Sequence, residues 1–491
     1  MAKAIMVQGT MSNAGKSLLV AGLCRVFKQD GYKVAPFKSQ NMALNSFITK
    51  DGFEMGRAQV MQAEAAGIEP DVCMNPILLK PTTDVGSQVI VNGKVVGNMK
   101  AKEYFDRKKE FLKDIMSAYE KLDKEYDIIV IEGAGSPAEL NLKRDDIVNM
   151  GLAKLLNAPV LLVGDIDRGG VFAQLIGTVE LLSEDERALI KGLIVNKFRG
   201  DRNLFRDGID ILEEKSNIKV AGVVPYVNVD VEDEDSLSDK FEKMSRKIID
   251  IAVVKLPKMS NYTDFDVFNQ YKNVSLRYVS NTGDFGNPDF VIIPGTKSTI
   301  EDIKWLRESG FEVLIKRAVN NKVPVFGICG GYQILGRKIS DPLASESGGE
   351  IEGLSLLPVN TVFCEEKRRT RVCDTFGECD GIFADLADET VKEYEIHMGE
   401  TYIEGGVDTN NIIYGCNVNN IYGSYVHGIF DNGKISEKIV RALYKKRGLD
   451  FDSFETESAD RVLYKEMQYD KLAREVRYNI DLDYIYKILQ L

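Results

Sequence analysis

Short apolar runs alternate with longer amphipathic stretches along most of this chain. The runs Ala4–Gln8, Lys33–Phe37, Asp127–Ile131, Pro159–Val163, Leu193–Val195 and Val220–Val224 read as buried strands, with helical patterns between them. This rhythm predicts an α/β fold, a mostly parallel sheet covered by helices on both faces. It breaks at Val231–Asp250, which is acidic, then mixed in charge, and poor in large apolar residues until its end. It restarts with Ile251–Leu256, Val274–Val279, Phe290–Ile293 and Val323–Ile328. After Asp431 the pattern is helical. Leu472, Val476 and Ile480 share one helical face, expected to pack against the second domain. The division expected is a first domain over 1–230, a linker over 231–250, a second domain over 251–438 and a helical tail over 439–491.

In a parallel sheet, functional groups gather at the carboxyl ends of the strands. The first strand runs into Gly9-Thr-Met-Ser-Asn-Ala-Gly15-Lys16-Ser17, and an apolar helix follows over Leu18–Phe27. Strand, glycine-rich loop, Gly-Lys-Ser and helix form the context of a phosphate-binding loop. Its backbone N–H groups would cradle the phosphates of ATP, Lys16 would reach their outer oxygens, and the Ser17 hydroxyl would ligate Mg²⁺. The first glycine lies one residue further off than in the common form, and Thr10 takes its place. Such a loop resembles that of dethiobiotin synthetase. Glu132, after the third strand, is the candidate Mg²⁺ carboxylate, because a hard cation favours charged oxygen. Asn196 and Lys197 follow their strand as a base- or phosphate-side pair would. Asp165 and Asp167 read as metal ligands or as a solvated loop. Lys38, Asn41, Arg57, Lys80 and Arg168 are candidate contacts for an anionic substrate; singly, each is as readily a surface group.

The second rhythm carries its chemistry on Val323–Gly336, VPVFGICGGYQILG. An apolar strand stops at Cys329, two glycines follow, and a helical pattern starts at Tyr332. A thiol at the tip of such a strained turn is placed as a nucleophile, and the following N–H groups favour thiolate and oxyanion. Gly330 and Gly295, the latter in Pro294-Gly-Thr-Lys297, are the candidate oxyanion donors. There are only two histidines. His397 lies within a strand-like stretch and has a plausible structural role. His427 ends an apolar strand, as a base for Cys329 would. A thiol and an imidazole together perform acyl transfer, here releasing ammonia from a carboxamide. Beside a phosphate-binding domain, the simplest whole is ATP-driven amidation of a carboxylate. Arg368–Arg371, RRTR, reads as a solvated face or a carboxylate contact.

Composition narrows the setting. The chain has 491 residues, 44% hydrophobic and 28% charged, as in ordinary soluble proteins. Its formal net charge of −12 disfavours a nucleic-acid partner. The seven scattered cysteines form no CxxC pair, which argues for a reducing cytoplasm and against disulfides or a zinc site. No apolar run approaches membrane-spanning length, and the N-terminus does not read as a signal peptide.

Across nearly its whole length the sequence resembles the cobyric acid synthase family, glutamine-hydrolysing amidases of cobalamin biosynthesis. The likeness rests on GTMSNAGKS, KSQNMALNS, GRAQVMQAEAAG, NPILLKP with TTDVGSQV, EGAGSPAELNL, DIDRGGVFA, NKFRGD, PGTKSTIEDIKWL, GICGGYQILG, YEIHMGET and YVHGIFDN. It implies an N-terminal P-loop domain of dethiobiotin-synthetase type and a C-terminal domain like class I glutamine amidotransferases. It implies ATP- and Mg²⁺-dependent amidation of the b, d, e and g carboxylates of adenosylcobyrinic acid a,c-diamide, with Cys329 as nucleophile and His427 as its partner. Glutamine and an adenosylated corrinoid are the other implied small-molecule partners. Many glutamine amidotransferases carry His-x-Glu, the acid orienting the imidazole. Here that position is Ile429, a lack that the family shares. Cobyrinic acid a,c-diamide synthase and a cell-wall lipid amidotransferase are the neighbouring readings. A partitioning-type ATPase would leave Cys329 and His427 without a role.

Overall fold

The computed structural model describes residues 1–83, 86–231, 246–404, 412–450 and 461–491. Most of the acidic stretch read as a linker, residues 232–245, lies outside them. The chain forms two compact units, and neither is contiguous in sequence. The first comprises Met1–Ala43, Phe53–Glu234 and Lys465–Leu491; the second comprises Leu44–Gly52 and Asp235–Tyr464.

The first unit is built on a six-stranded sheet in the order Val220–Pro225, Ile190–Phe198, Val160–Asp165, Lys3–Gly9, Ile128–Glu132 and Val34–Phe37. Every pairing is parallel. The strands are almost continuous runs of Val, Ile and Leu, as sheets covered on both faces require. The chain order reverses around Lys3–Gly9, between Ile128–Glu132 and Val160–Asp165. At such a switch point the flanking connections leave in opposite directions and open a crevice. The loop Gly9–Ser17, Glu132 and Asp165 all sit at that end. A second sheet, Gln40–Met42, Ile77–Thr83, Gly86–Val91 and Lys94–Lys100, is inserted before the Ile128–Glu132 strand.

The C-terminal helices belong to this first unit. Ala473, Val476, Ile480, Ile485 and Leu489 join a core with Leu23, Phe27 and Ala221. Arg25 pairs with Glu466 at 2.6 Å and Asp470 at 2.8 Å, and Lys219 with Asp481 at 2.6 Å. The apolar stripe on the tail was expected on the second domain. It docks instead where matching apolar surface and buried Arg25 await it, a choice that position in the chain does not encode.

The second unit repeats the design. Its main sheet runs Val274–Val279, Ile249–Val254, Phe290–Ile293, Val325–Ile328, Ile421–Ser424 and Gly415–Val418. All pairs are parallel except the last. A five-stranded sheet adds the long strands Val359–Thr375 and Thr390–Ile403 and ends on Val426–His427. Arg368 and Arg371 lie on the first of these. Arg368 pairs with Glu395 at 2.6 Å, and Arg371 stands over the Phe47 ring. Among the described residues no helix is long and apolar enough to cross a membrane, and the seven cysteines form no disulfide with one another.

Candidate active sites

In the first unit the helix Lys16–Gln29 begins directly at the loop. Gly15 has φ 88°, a conformation that a side chain would strain, and a Cβ there would collide with the Asn196 amide. That amide donates to the Ala14 carbonyl at 2.9 Å. Lys197 donates to the Asn13 carbonyl at 2.7 Å and pairs with Asp165 at 3.0 Å. Asn196 and Lys197 thus brace the loop from the neighbouring strand. Thr10 donates its backbone N–H to the Val163 carbonyl at 2.9 Å, and its hydroxyl bonds Gln174 at 3.1 Å. The Lys16 ammonium folds back onto the carbonyls of Met11 at 3.0 Å and Gly135 at 3.3 Å.

Glu132 is the electrostatic centre of this site. Its Oε1 accepts from Ser17 and from Lys38, each at 2.9 Å, and its Oε2 accepts from Gln62 at 2.6 Å. Burial pushes the carboxyl up, but Lys38, Gln62 and Lys16 outweigh it and hold it below the usual carboxylate range. Gln62 was not singled out from the sequence. The available signal was polar Gln59 and Gln62 spaced one turn apart on a helix, Arg57–Ala66, otherwise rich in alanine. Of the remaining polar candidates, Asn41 joins this cluster through Gln59, whose Nε2 donates to Glu132 Oε2 at 3.5 Å, and the others have partners of their own or stand apart. Asn41 bonds Gln59 at 3.1 Å and Lys80 pairs with buried Glu54 at 3.0 Å. Arg57 opens the helix bearing Gln62, while Arg168 is exposed in the loop after Asp165. Asp167 pairs with Arg199 at 2.7 Å.

Breaking this cluster carries a large expected cost. Glu132→Gln removes the buried carboxylate that Lys38, Ser17 and Gln62 share, a loss of about 3–5 kcal/mol. The folded-state pKa of Glu132 is lowered, so its contribution is present above the unfolded carboxyl pKa and fades as pH falls through the folded value. Urea unfolding at neutral pH should show the variant destabilised, with the gap to wild type narrowing in acid.

In the second unit the strand Val325–Ile328 delivers Cys329 to a sharp turn. Cys329 has φ 52° and ψ −114°, and the helix Gly330–Leu335 follows at once. A positive φ at a non-glycine residue stores strain, which persists where packing over-determines it. The packing is visible at Gly331, where a Cβ would collide with the Ile293 carbonyl. Cys329 N–H donates to the Ser424 carbonyl at 2.8 Å, tying the turn to the strand that leads to His427. The thiol contacts the Ile396 carbonyl at 3.4 Å. The backbone of Gly295 borders the same space; a Cβ on it would stand 3.4 Å from His427 Cε1. Gly330 abuts Thr296, the next residue of that loop. Cys329, His427, Gly295 and Gly330, read from separate motifs, therefore converge.

His427 is almost wholly buried, and its Nδ1 lies 2.7 Å from Asp264 Oδ2. Burial alone would lower its pKa, but Asp264 and then Cys329 outweigh it, and the imidazole is pushed up to about 10. Tyr394 stacks on the ring with centroids 5.5 Å apart. His397 instead stacks on Tyr425 at 3.7 Å and bonds the Gly399 carbonyl at 3.1 Å. Gln333, one turn into the elbow helix, donates to the Met398 carbonyl at 2.9 Å and to Tyr425 at 3.1 Å. Asp264 and Gln333 were missed in the sequence. Asp264 sits in a short 3₁₀ segment with no motif of its own, far from both histidine and thiol in the chain.

A phosphate-binding loop on one parallel sheet and a Cys–His elbow on another define a nucleotide-dependent glutamine amidotransferase. Residues 5–237 match the CobQ/CobB/MinD/ParA nucleotide-binding domain family, and residues 250–435 match the CobB/CobQ-like glutamine amidotransferase domain family. The chain is 57% identical to the cobyric acid synthase of Lachnoclostridium phytofermentans, covering 100% of this chain and 99% of that one. It is 56% identical to the synthase of Ruminiclostridium cellulolyticum, covering 100% and 98%. It is 50% identical to that of Clostridium acetobutylicum, covering 99% and 98%. The chain belongs to the cobyric acid synthase family and is a glutamine-hydrolysing, ATP-dependent carbon–nitrogen ligase.

Proposed function

We propose that this chain amidates the b, d, e and g carboxylates of adenosylcobyrinic acid a,c-diamide in the cytoplasm, with Cys329 and His427 releasing ammonia and the Gly9–Ser17 loop activating the acceptor. The observation that carries the reading is the strained Cys329 elbow with buried His427 beside it. Cys329 sulfur attacks the glutamine carboxamide, and the carbonyl oxygen takes the negative charge. Backbone N–H groups of Gly330 and Gly295 stabilise that oxyanion. Imidazolium gives its proton to the departing nitrogen, and ammonia leaves. Water, deprotonated by His427, then cleaves the thioester to glutamate and restores the thiol.

In the other unit, a substrate carboxylate attacks the γ-phosphorus of ATP, giving an acyl phosphate and ADP. Ammonia displaces phosphate and leaves the amide. Lys16 supports the charge on the transferring phosphoryl oxygens. The residues present suit Mg²⁺. Among the described residues no cluster of three or more His, Cys, Asp or Glu side chains is arranged for a metal. Mg²⁺, however, commonly binds through one or two carboxylates plus substrate phosphates. Ser17 and Glu132 place a hydroxyl and a charged carboxylate 2.9 Å apart at the loop. When bound, Mg²⁺ neutralises phosphate charge. Lys38, Asn41, Arg57, Lys80 and Arg168 remain the candidates for holding the anionic acceptor, and Thr10, Gly15, Lys16, Ser17, Asn196 and Lys197 those for holding ATP.

The test is mass spectrometry of corrinoid products formed with ATP, Mg²⁺ and glutamine labelled with nitrogen-15 at the amide. Stepwise transfer of label to the four named carboxylates is expected. Absence of labelled amide with the full mixture, and with ammonia in place of glutamine, would refute the substrate assignment.

A further inference from the structure

His427 needs an acid that the sequence does not put where it is usually found. Ile429, two residues on, is fully buried in the apolar core of its unit. An acid there would face hydrocarbon. The carboxylate comes from elsewhere, 163 residues earlier in the chain. Asp264 lies in the 3₁₀ segment Tyr262–Gln270, only 4% exposed. One oxygen is 2.7 Å from His427 Nδ1, and the other accepts the Gly428 N–H at 3.2 Å. A single carboxylate thus holds both the imidazole and the backbone that carries it.

The start of that 3₁₀ segment is itself pinned. Asp264 N–H donates to the Asn261 carbonyl at 3.2 Å, and Asn261 Oδ1 accepts the Ser46 N–H at 3.1 Å. Ser46 returns its carbonyl to the Tyr394 hydroxyl at 3.0 Å, and Tyr394 stacks on His427. The Leu44–Gly52 segment therefore ties the Asp264 turn to the other side of the imidazole, all within one unit.

We propose that Asp264 is the positioning residue of the ammonia-releasing pair, taking from a separate 3₁₀ segment the place of the missing acid. With an ionised carboxylate opposite, Nδ1 carries the proton and Nε2 is left to exchange a proton with the Cys329 sulfur and the departing nitrogen. Asp264 itself gains no proton; it stabilises the imidazolium. The charged or titratable groups around the ring are Asp264 on its segment, Cys329 on the elbow, Tyr394 on the neighbouring strand, and Glu393, whose carboxylate borders Gly428.

This rests on the reading of Cys329 as nucleophile, and the two stand or fall separately. Intact glutamine-dependent turnover in Cys329→Ala would end that reading. Intact turnover in Asp264→Asn, with Cys329→Ala inactive, would end only this one. The expected result for Asp264→Asn is a loss of about 10²- to 10⁴-fold in glutamine-dependent kcat. KM for glutamine and ammonia-dependent amidation should stay near wild type. The alkaline limb of the pH–rate profile should move to lower pH, because the imidazolium has lost its counter-charge. Asp264→Glu should recover part of the rate and part of the alkaline limb. An unmoved limb in Asp264→Asn would overturn the proposal. A measurement on the wild-type protein covers a variant that does not fold. With only two histidines, nitrogen-15 imidazole NMR resolves each ring, and His427 should be protonated at Nδ1 from neutral pH to the alkaline limb. A His427 ring protonated only at Nε2 would refute it.

Discussion

Cys329→Ala is expected to lower glutamine-dependent amidation by about 10⁴-fold or more while amidation from ammonium salts continues near the wild-type rate. Four of the other six thiols are poorly suited to take its place. Burial pushes Cys73 and Cys379 up to about 11 and raises Cys24 and Cys416 as well, so none of these is poised as a thiolate. Cys329 alone stands at the strained tip, beside an imidazole whose charged form Asp264 stabilises. Removing its sulfur leaves the rest of the elbow in place, since the turn is held by backbone contacts to Ser424 and by the Gly331 approach to Ile293. The check is a paired assay of glutamate release and of amide formed from glutamine or from ammonium chloride. Glutamine-dependent turnover at wild-type rate would remove Cys329 from the mechanism.

Lys16→Ala is expected to give the complementary phenotype. Amidation should fall by about 10²- to 10³-fold whichever nitrogen source is supplied, the scale of losing one preorganised charge from a phosphoryl-transfer site. Glutamate release should persist, because the Cys329 site draws nothing from Lys16. The ammonium bonds the Met11 and Gly135 carbonyls, so it is held at the loop where phosphate oxygens would replace them. Isothermal titration with a non-hydrolysable ATP analogue separates weakened binding from a slowed chemical step. A variant that amidates normally with ammonia would exclude Lys16 from the activation step.

Much of this architecture was legible in the residues. Most predicted strands of the two main sheets are present within a residue or two, because short continuous Val, Ile and Leu runs suit a sheet covered on both faces; the run Leu193–Val195 extends to Ile190–Phe198, and the run ending at His427 divides between two sheets. The thiol and phosphate loops were legible for a different reason. Both are backbone devices whose glycines and lengths are specified locally, and Gly15 and Gly331 show why: a Cβ at either would strike a neighbour. The inserted sheet around Ile77–Lys100 and the long strands Val359–Thr375 and Thr390–Ile403 were not read in detail. Their polar and apolar residues do not resolve into one buried face. The Leu472, Val476 and Ile480 stripe was placed on the wrong unit, since an apolar stripe says that a helix docks and not where.

The sequence by itself determined the two α/β rhythms, the glycine-rich loop at Gly9–Ser17 and the strand-to-helix turn at Cys329, and it marked Cys329 and His427 as the candidate pair. Those follow from local rules of spacing, side-chain volume and backbone freedom. Only the tertiary structure decided which carboxylate faces His427, which amide and ammonium groups surround Glu132, and which unit receives Leu44–Gly52 and the C-terminal helices. Asp264 became visible because burial brings side chains distant in the chain to hydrogen-bonding range. At that range an unpaired charge is costly enough that each must find its partner.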